Sequence, residues 1–200
     1  PSRTFPNFPN IAQLVSFDTG FAALSTTGTV YTWGDERYPA CLGREPTAES
    51  PAGSPSPVPD LADLPTGPIT KLSACGYLLA VLTAGNDLYC WGHPGRTPPS
   101  ILSHVSVRES PGPVVIDEYD IADVAVGEAH LIALTTSGEV FVLGDNTNGQ
   151  LGLGPQVTAA AGWTRVSLDS ESGKGLSEAK VVVGVAAGPR NSFLIVQNQT

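Results

Sequence analysis

Residues 121–144 read IADVAVGEAHLIALTTSGEVFVLG: an apolar run, a break at Gly127, a second apolar run, a turn, and a third run. That order predicts three short strands, Ile121 to Val126, His130 to Thr135 and Glu139 to Leu143. Thr136-Ser137-Gly138 makes the hairpin turn, where glycine takes positive φ. The same grammar recurs on both sides. Residues 11–34 read IAQLVSFDTGFAALSTTGTVYTWG, and residues 69–92 read ITKLSACGYLLAVLTAGNDLYCWG. A fourth copy, VVVGVAAGPRNSFLIVQNQT from Val181, stops before its last strand. With Leu24, Leu82, Leu134 and Ile195 as equivalent anchors, the spacings are 58, 52 and 61 residues, so the variation falls in connecting loops. Thr26-Thr27-Gly28 and Ala84-Gly85-Asn86 take the turn in the first two copies.

Runs such as FAALS, LLAVLT and LIALT are apolar on both faces, which suits strands buried between neighbouring sheets. Proline-rich connectors, Pro46 to Pro68 and Pro94 to Pro113, separate the copies, with Pro57-Val58 and Pro113-Val114 steps. Proline is tolerated in an edge strand, so each connector supplies a fourth, outer strand such as Val114 to Ile116. Four strands per unit, repeated at this period, build a β-propeller. We therefore expect an all-β chain of about three and a half to four blades of four antiparallel strands. Residues 1–200 would form one partial propeller, with units at about 11–58, 69–116, 121–168 and 181–200.

Composition agrees. Gly 22 and Pro 18 make a fifth of 200 residues, and both are depleted inside helices and strands. No stretch approaches the roughly 20 apolar residues of a transmembrane helix, so no membrane partner is expected. The charge of −9, with only 10 Lys and Arg, argues against a nucleic-acid surface. Cys41, Cys75 and Cys90 form no CxxC pair and read as buried thiols of an intracellular protein, cytoplasmic or nuclear. The chain begins at Pro1, has no Met, and stops at Gln199-Thr200 directly after an apolar run, so we expect a segment of something longer.

The copies resemble the regulator of chromosome condensation (RCC1-like) repeats. The third carries Gly127, His130 and Leu134, then Gly138, then Leu143-Gly144-Asp145-Asn146 and Gly149-Gln150-Leu151-Gly152-Leu153-Gly154, similar to that family's GQLGxG signature. The first keeps Trp33-Gly34-Asp35 and a degraded Leu42-Gly43; the second keeps Trp91-Gly92 and loses the GQLG element. The resemblance implies a seven-bladed propeller, about twice this length at one blade per ~50 to 60 residues. An open arc of this size exposes an apolar sheet face at each end, through which it could self-associate.

Few residues invite a chemical reading. Asp145-Asn146-Thr147-Asn148-Gly149 hints at a calcium loop, but Thr147 and Gly149 stand where an EF-hand needs oxygen ligands, and the repeat's own turn explains the stretch. Gly149 to Gly154 reverses the glycine spacing of a dinucleotide loop. Of His93, His104 and His130, only His130 lies in a strand-like run, and we read it as bonding backbone at a blade end. Trp33, Trp91 and Leu143 share one position and read as blade-packing residues. We expect no catalytic residue, metal or cofactor. The stretch Asp117, Glu118, Tyr119, Asp120, with Asp123 after it, is a solvated loop or a surface for a basic partner.

The expected function is a non-catalytic protein-interaction scaffold whose loops present a binding surface. The alternative, implied by the resemblance, is guanine-nucleotide exchange or regulation of a small GTPase. A third reading, a hydrolase or lyase at the central channel, would need polar residues from several blades to converge.

Overall fold

The computed structural model describes residues 4–5, 8–93, 110–168 and 180–198. They form a partial propeller of four consecutive antiparallel sheets. The first sheet holds β1 (Ile11–Phe17), β2 (Gly20–Ser25), β3 (Val30–Gly34) and β4 (Ser56–Pro57). The second holds β5 (Ile69–Cys75), β6 (Leu78–Thr83), β7 (Leu88–Gly92) and β8 (Gly112–Val114). The third holds β9 (Ile121–Val126), β10 (His130–Thr135), β11 (Val140–Asp145) and β12 (Ala159–Arg165); the fourth pairs β13 (Lys180–Gly188) with β14 (Asn191–Asn198). Among the described residues the helical segments are one turn of α-helix, α1 (Pro39–Leu42), and a 3-10 turn at Pro59–Leu61. Neither is long enough to cross a membrane.

Local chemistry sets where the strands start and stop. The third strand of the third sheet begins at Val140, because Glu139 is held in the turn by its N–H on Thr135 Oγ1 at 3.0 Å. The outer strand expected at Val114 to Ile116 lies instead at Gly112–Val114. Its continuation is bent away where Ile116 accepts the Tyr119 N–H at 3.0 Å and Asp117 takes φ 47°. Outer strands β4 and β8 are short and contain Pro57 and Pro113, which pair at a sheet edge; β12 has no proline and runs seven residues. The hairpin turns close on Gly28 and Gly138, each at φ 86°, but in the second copy Asn86, at φ 69°, takes this place rather than Gly85. Asparagine is among the few residues that tolerate the left-handed region.

Packing follows from strands that are apolar on both faces. All six residues of β6 and of β10 are buried. One face of β6, Leu79 and Val81, shares a core with Leu24 and Val30 of the first sheet. The other face, with Leu82 beside Leu88 and Cys90, shares a core with Ala133, Phe141 and Leu143 of the third. A third core joins Ile132 and Val142 to Val182 and Val185 of the fourth. Each fully buried Leu or Val contributes about 1.5 to 3 kcal/mol, so the sheet junctions carry the stability of the arc.

Every inner strand also has a β-bulge at the same repeat position. The pairing register shifts between Ile11 and Gln13, Ile69 and Lys71, Ile121 and Asp123, and Val182 and Gly184. A bulge re-aims the side chain beside it. Here Gln13 Oε1 accepts the Leu72 N–H at 2.8 Å, and Asp123 Oδ2 accepts the Val185 N–H at 2.9 Å, each from the following sheet. Lys71 has no acceptor to offer; it forms an ion pair with Asp123 instead, while Ser73 Oγ takes the Val126 N–H at 3.0 Å. Near the hub, the Asp18 N–H donates to the Gly76 carbonyl at 2.8 Å and the Glu128 N–H to that of Pro189 at 3.1 Å.

Candidate functional site

The signature residues lie at blade ends and junctions. Gly34 and Gly92 each close a third strand, and Gly144 is the last residue but one of its own. The residue after each donates its N–H to the carbonyl just before the second strand: Asp35 to Thr19 and Asp145 to Ala129 at 2.8 Å, His93 to Tyr77 at 3.0 Å. Trp91 and Leu143 are fully buried at sheet junctions, and the Trp91 indole N–H donates to the Cys41 carbonyl at 3.2 Å. Trp33, on the first sheet, is half-buried among Phe5, Phe8 and Phe21, whose rings lie 5.6 to 6.2 Å from its own.

His130 is fully buried, and its ring covers Gly127 so closely that a Cβ there would fall inside the imidazole. Its Nε2 bonds the Ser192 hydroxyl of the fourth sheet at 3.0 Å, so the ring reaches a neighbouring blade's side chain. A backbone hydrogen bond to Asn191 accompanies it, and burial holds the imidazole below its ordinary pKa. His93 packs with Tyr38 and Tyr77, ring centroids 5.5 and 5.9 Å away. His104 lies outside the described residues, as do residues 94–109 of the second connector.

The loop from Asp145 is tied to itself. Asp145 Oδ2 accepts Thr147 Oγ1–H at 2.8 Å and Gln150 Nε2–H at 2.7 Å, while Asn148 N–H donates to Gln150 Oε1 at 2.9 Å. Buried Asn146 accepts the Leu151 N–H at 2.8 Å and donates to the Val157 carbonyl at 2.6 Å. The acceptors that suggested a calcium loop hold the turn together. Gly149 and Gly152 supply its left-handed corners, at φ 77° and 68°.

Two rims flank the sheets. One carries the inner turns, with Asp18 and Glu128, and the segment after β3, where Arg37 grips Asp35 and holds its carboxyl at about 2. Arg190 answers Glu128 at 3.7 Å, so this rim mixes signs. The opposite, hairpin rim is one-sided. It gathers Asp63, Asp87, Asp117, Glu118, Asp120 and Glu139; Arg165, 3.0 Å from Glu139, is paired there, and the exposed Lys180 at the start of β13 adds a second cation. Asp117, Glu118 and Asp120 are exposed. Tyr119 lies against Phe141, 5.2 Å between centroids, and its hydroxyl bonds Glu139, which raises the phenol pKa. Asp123, adjacent in sequence, points inward to Lys71 and Val185, so it leaves this group. The turn positions that bring Asp63, Asp87 and Glu139 to the same rim are the signal that could have found them.

The regulator of chromosome condensation (RCC1) repeat family matches residues 121–150 and, overlapping, 137–195. Across residues 121–195 the chain carries RCC1-like repeats. The chain is 26% identical over 203 residues to Ras guanine nucleotide exchange factor C of Dictyostelium discoideum, covering 94% of this chain and 12% of that protein. Crystal structures share the fold: human WBSCR16 superposes with TM-score 0.76 at 20% identity, over 98% of this chain and 47% of that one. Prp20p of Saccharomyces cerevisiae, described with its binding to Gsp1p and histones, gives 0.66 at 18% identity, over 97% and 45%. The chain spans 12 to 32% of the length of the first curated relatives it matches.

Proposed function

We propose that this RCC1-like arc is a non-catalytic interaction module that docks a basic protein surface on its hairpin rim. The observation that carries this reading is the charge of that rim, six carboxylates against the paired Arg165 and the exposed Lys180, on turns fixed by the sheets beneath them. Such a field attracts cationic partners and repels acidic ones. Prp20p, similar in fold, is described as binding histones, which are basic proteins.

The test replaces Asp117, Glu118 and Asp120 together by Lys and measures binding of histone tetramer and of an acidic control protein at several salt concentrations. We expect a melting temperature within about 2 °C of the parent, since exposed charges contribute little to folding. Histone affinity should fall at least about tenfold, with a weaker salt dependence. Unchanged affinity would reject the rim as the docking surface.

A second reading, exchange on a small GTPase, is favoured by the named activity of the Dictyostelium relative, although the match covers only 12% of that protein. Release of fluorescent GDP from a panel of small GTPases separates the two: acceleration supports exchange, and binding without acceleration supports the scaffold.

A further inference from the structure

We propose that Ser50 is a phosphoacceptor for a proline-directed kinase, and that the buried guanidinium of Arg44 receives the phosphate formed on it. The connector between β3 and β4 carries the motif. Residues 50–57 read SPAGSPSP, so Ser50, Ser54 and Ser56 each precede a proline. A kinase that requires proline directly after its acceptor finds three equal candidates in the sequence, and the structure separates them. Ser56 is 8% exposed and pairs with Thr32 in β4, its hydroxyl donating to the Ser54 carbonyl at 3.3 Å. Ser54 gives Arg44 only its carbonyl, at 3.2 Å. Ser50 places its hydroxyl on the guanidinium: Arg44 Nη1 donates to Ser50 Oγ at 2.9 Å and to the Ser50 carbonyl at 2.8 Å.

Arg44 is built to take an anion. It is 7% exposed, and its Nη2 donates to the carbonyls of Thr32, Ser54 and Pro51 at 3.0, 3.2 and 3.3 Å. Among the described residues no carboxylate pairs with it, and its buried Nε has no acceptor. Burial holds the guanidinium below its ordinary pKa. A buried cation held by neutral dipoles alone lacks a counter-charge. A serine phosphate supplies about −1.5 to −2 of charge and three acceptor oxygens, in the geometry that a guanidinium fork meets best. Arg44 and Ser50 line one cavity of about 810 Å³, with Gly43 and Pro57 on its walls, so the group has room. Glu45, Glu49 and Asp60 also line it, but all three are exposed. Water and salt screen their repulsion, whereas the contact between Arg44 and Ser50 is direct and shielded.

Access follows from the loop around the acceptor. Thr47, Ala48, Glu49 and Pro51 are exposed. Apart from Arg44, Ser50 is held by a turn to Thr47: its N–H donates to Thr47 Oγ1 and its carbonyl accepts the Thr47 N–H, each at 3.1 Å. Opening this turn breaks few bonds, while freeing Ser56 would require β4 to leave the sheet. In the transfer, Ser50 Oγ attacks the γ-phosphorus of ATP, the bond from that phosphorus to the bridging oxygen breaks to release ADP, and the hydroxyl proton passes to the kinase's carboxylate. The phosphate then turns back onto Arg44 and ties the connector to the first sheet.

The first arm of the test incubates the 200-residue chain with ATP and a mitogen-activated protein kinase and maps the sites over time by mass spectrometry. We expect Ser50 to be labelled at least about tenfold faster than Ser54 or Ser56. The second arm installs phosphoserine at position 50 during translation and titrates it by phosphorus-31 NMR beside a phosphopeptide of residues 45–55. The phosphate in the protein should titrate at a pH at least about 0.5 lower than in the peptide, and the melting temperature should rise by at least about 2 °C. Arg44→Lys keeps the charge without the fork and should remove at least about half of that rise. If this variant fails to fold, the comparison of protein with peptide decides. The proposal is overturned by absence of label at Ser50, by faster label at Ser54 or Ser56, by a titration midpoint no lower than the peptide's, or by an unchanged or lowered melting temperature. None of these readouts involves Asp117, Glu118 or Asp120, so failure here is distinguishable from failure of the hairpin rim as a docking surface.

Discussion

His130 shows how a signature residue acts through what it covers. Its ring occupies the space a Cβ at Gly127 would need, and it ties β10 to Ser192 one sheet away. Gly127→Ala should therefore cost about 1 to 3 kcal/mol, the range for overpacking a tight site, measurable as a lower urea midpoint at unchanged m-value. The same burial predicts a pH dependence. The folded protein holds this imidazole below its ordinary pKa, so the unfolded chain binds the proton first. The contribution is complete above about pH 6.5 and is lost as pH falls from there through the folded pKa. Stability should thus fall between pH 7 and 5, and His130→Gln should flatten that part of the curve. The sequence gives the Gly-x-x-His spacing but not the partner, because Ser192 is 62 residues away. Arg44 was silent for the same reason: its buried guanidinium donates to the carbonyls of Thr32, Ser50, Pro51 and Ser54, acceptors that no local pattern marks.

At the scale of elements, the strands and hairpins were legible because apolar runs and turn residues act locally. Ala84-Gly85-Asn86 named its turn but not the residue that takes the positive φ, since both Gly85 and Asn86 could satisfy it; Asn86 does. The recurring bulge was not legible. Gln13, Lys71, Asp123 and Gly184 occupy the bulge position with four different chemistries, and only the neighbouring sheet reveals what they do. Asp123 is the decisive member, bonding Lys71 on one side and the Val185 N–H on the other. Asp123→Ala leaves a partly buried ammonium and a backbone N–H without this acceptor, so we expect a loss of about 2 to 4 kcal/mol in chemical denaturation. Asp123→Asn keeps an acceptor for Val185 and should cost less. Equal losses for the two variants would show that the charge rather than the bridge matters.

Across the whole molecule, burial is uneven. The second and third sheets are covered on both faces, whereas the arc ends present Leu14 at 63% exposure and Phe193 and Ile195 at 54% each. Local opening is easiest where few apolar contacts must be broken. Amides of Leu78–Thr83 and His130–Thr135 should exchange slowest, and those of Asn191–Asn198 fastest. A uniform rate across the sheets would instead mean that the arc opens in one step. The repeat itself was readable from spacing. The one-sided charge of the hairpin rim was not, since its carboxylates come from turns scattered over 77 positions and only the stacking of sheets assembles them.

The three thiols turn this stacking into a clock. Cys41 is sealed where the first sheet meets the second, its sulfur 3.5 Å from the Tyr77 carbonyl, and Cys90 is sealed where the second meets the third. Burial raises both above their ordinary pKa, so neither reacts until its seam parts. Half-exposed Cys75 serves as the reference. Alkylation timed by mass spectrometry should mark Cys75 first, then Cys41, then Cys90, recording from within the order in which the seams come apart.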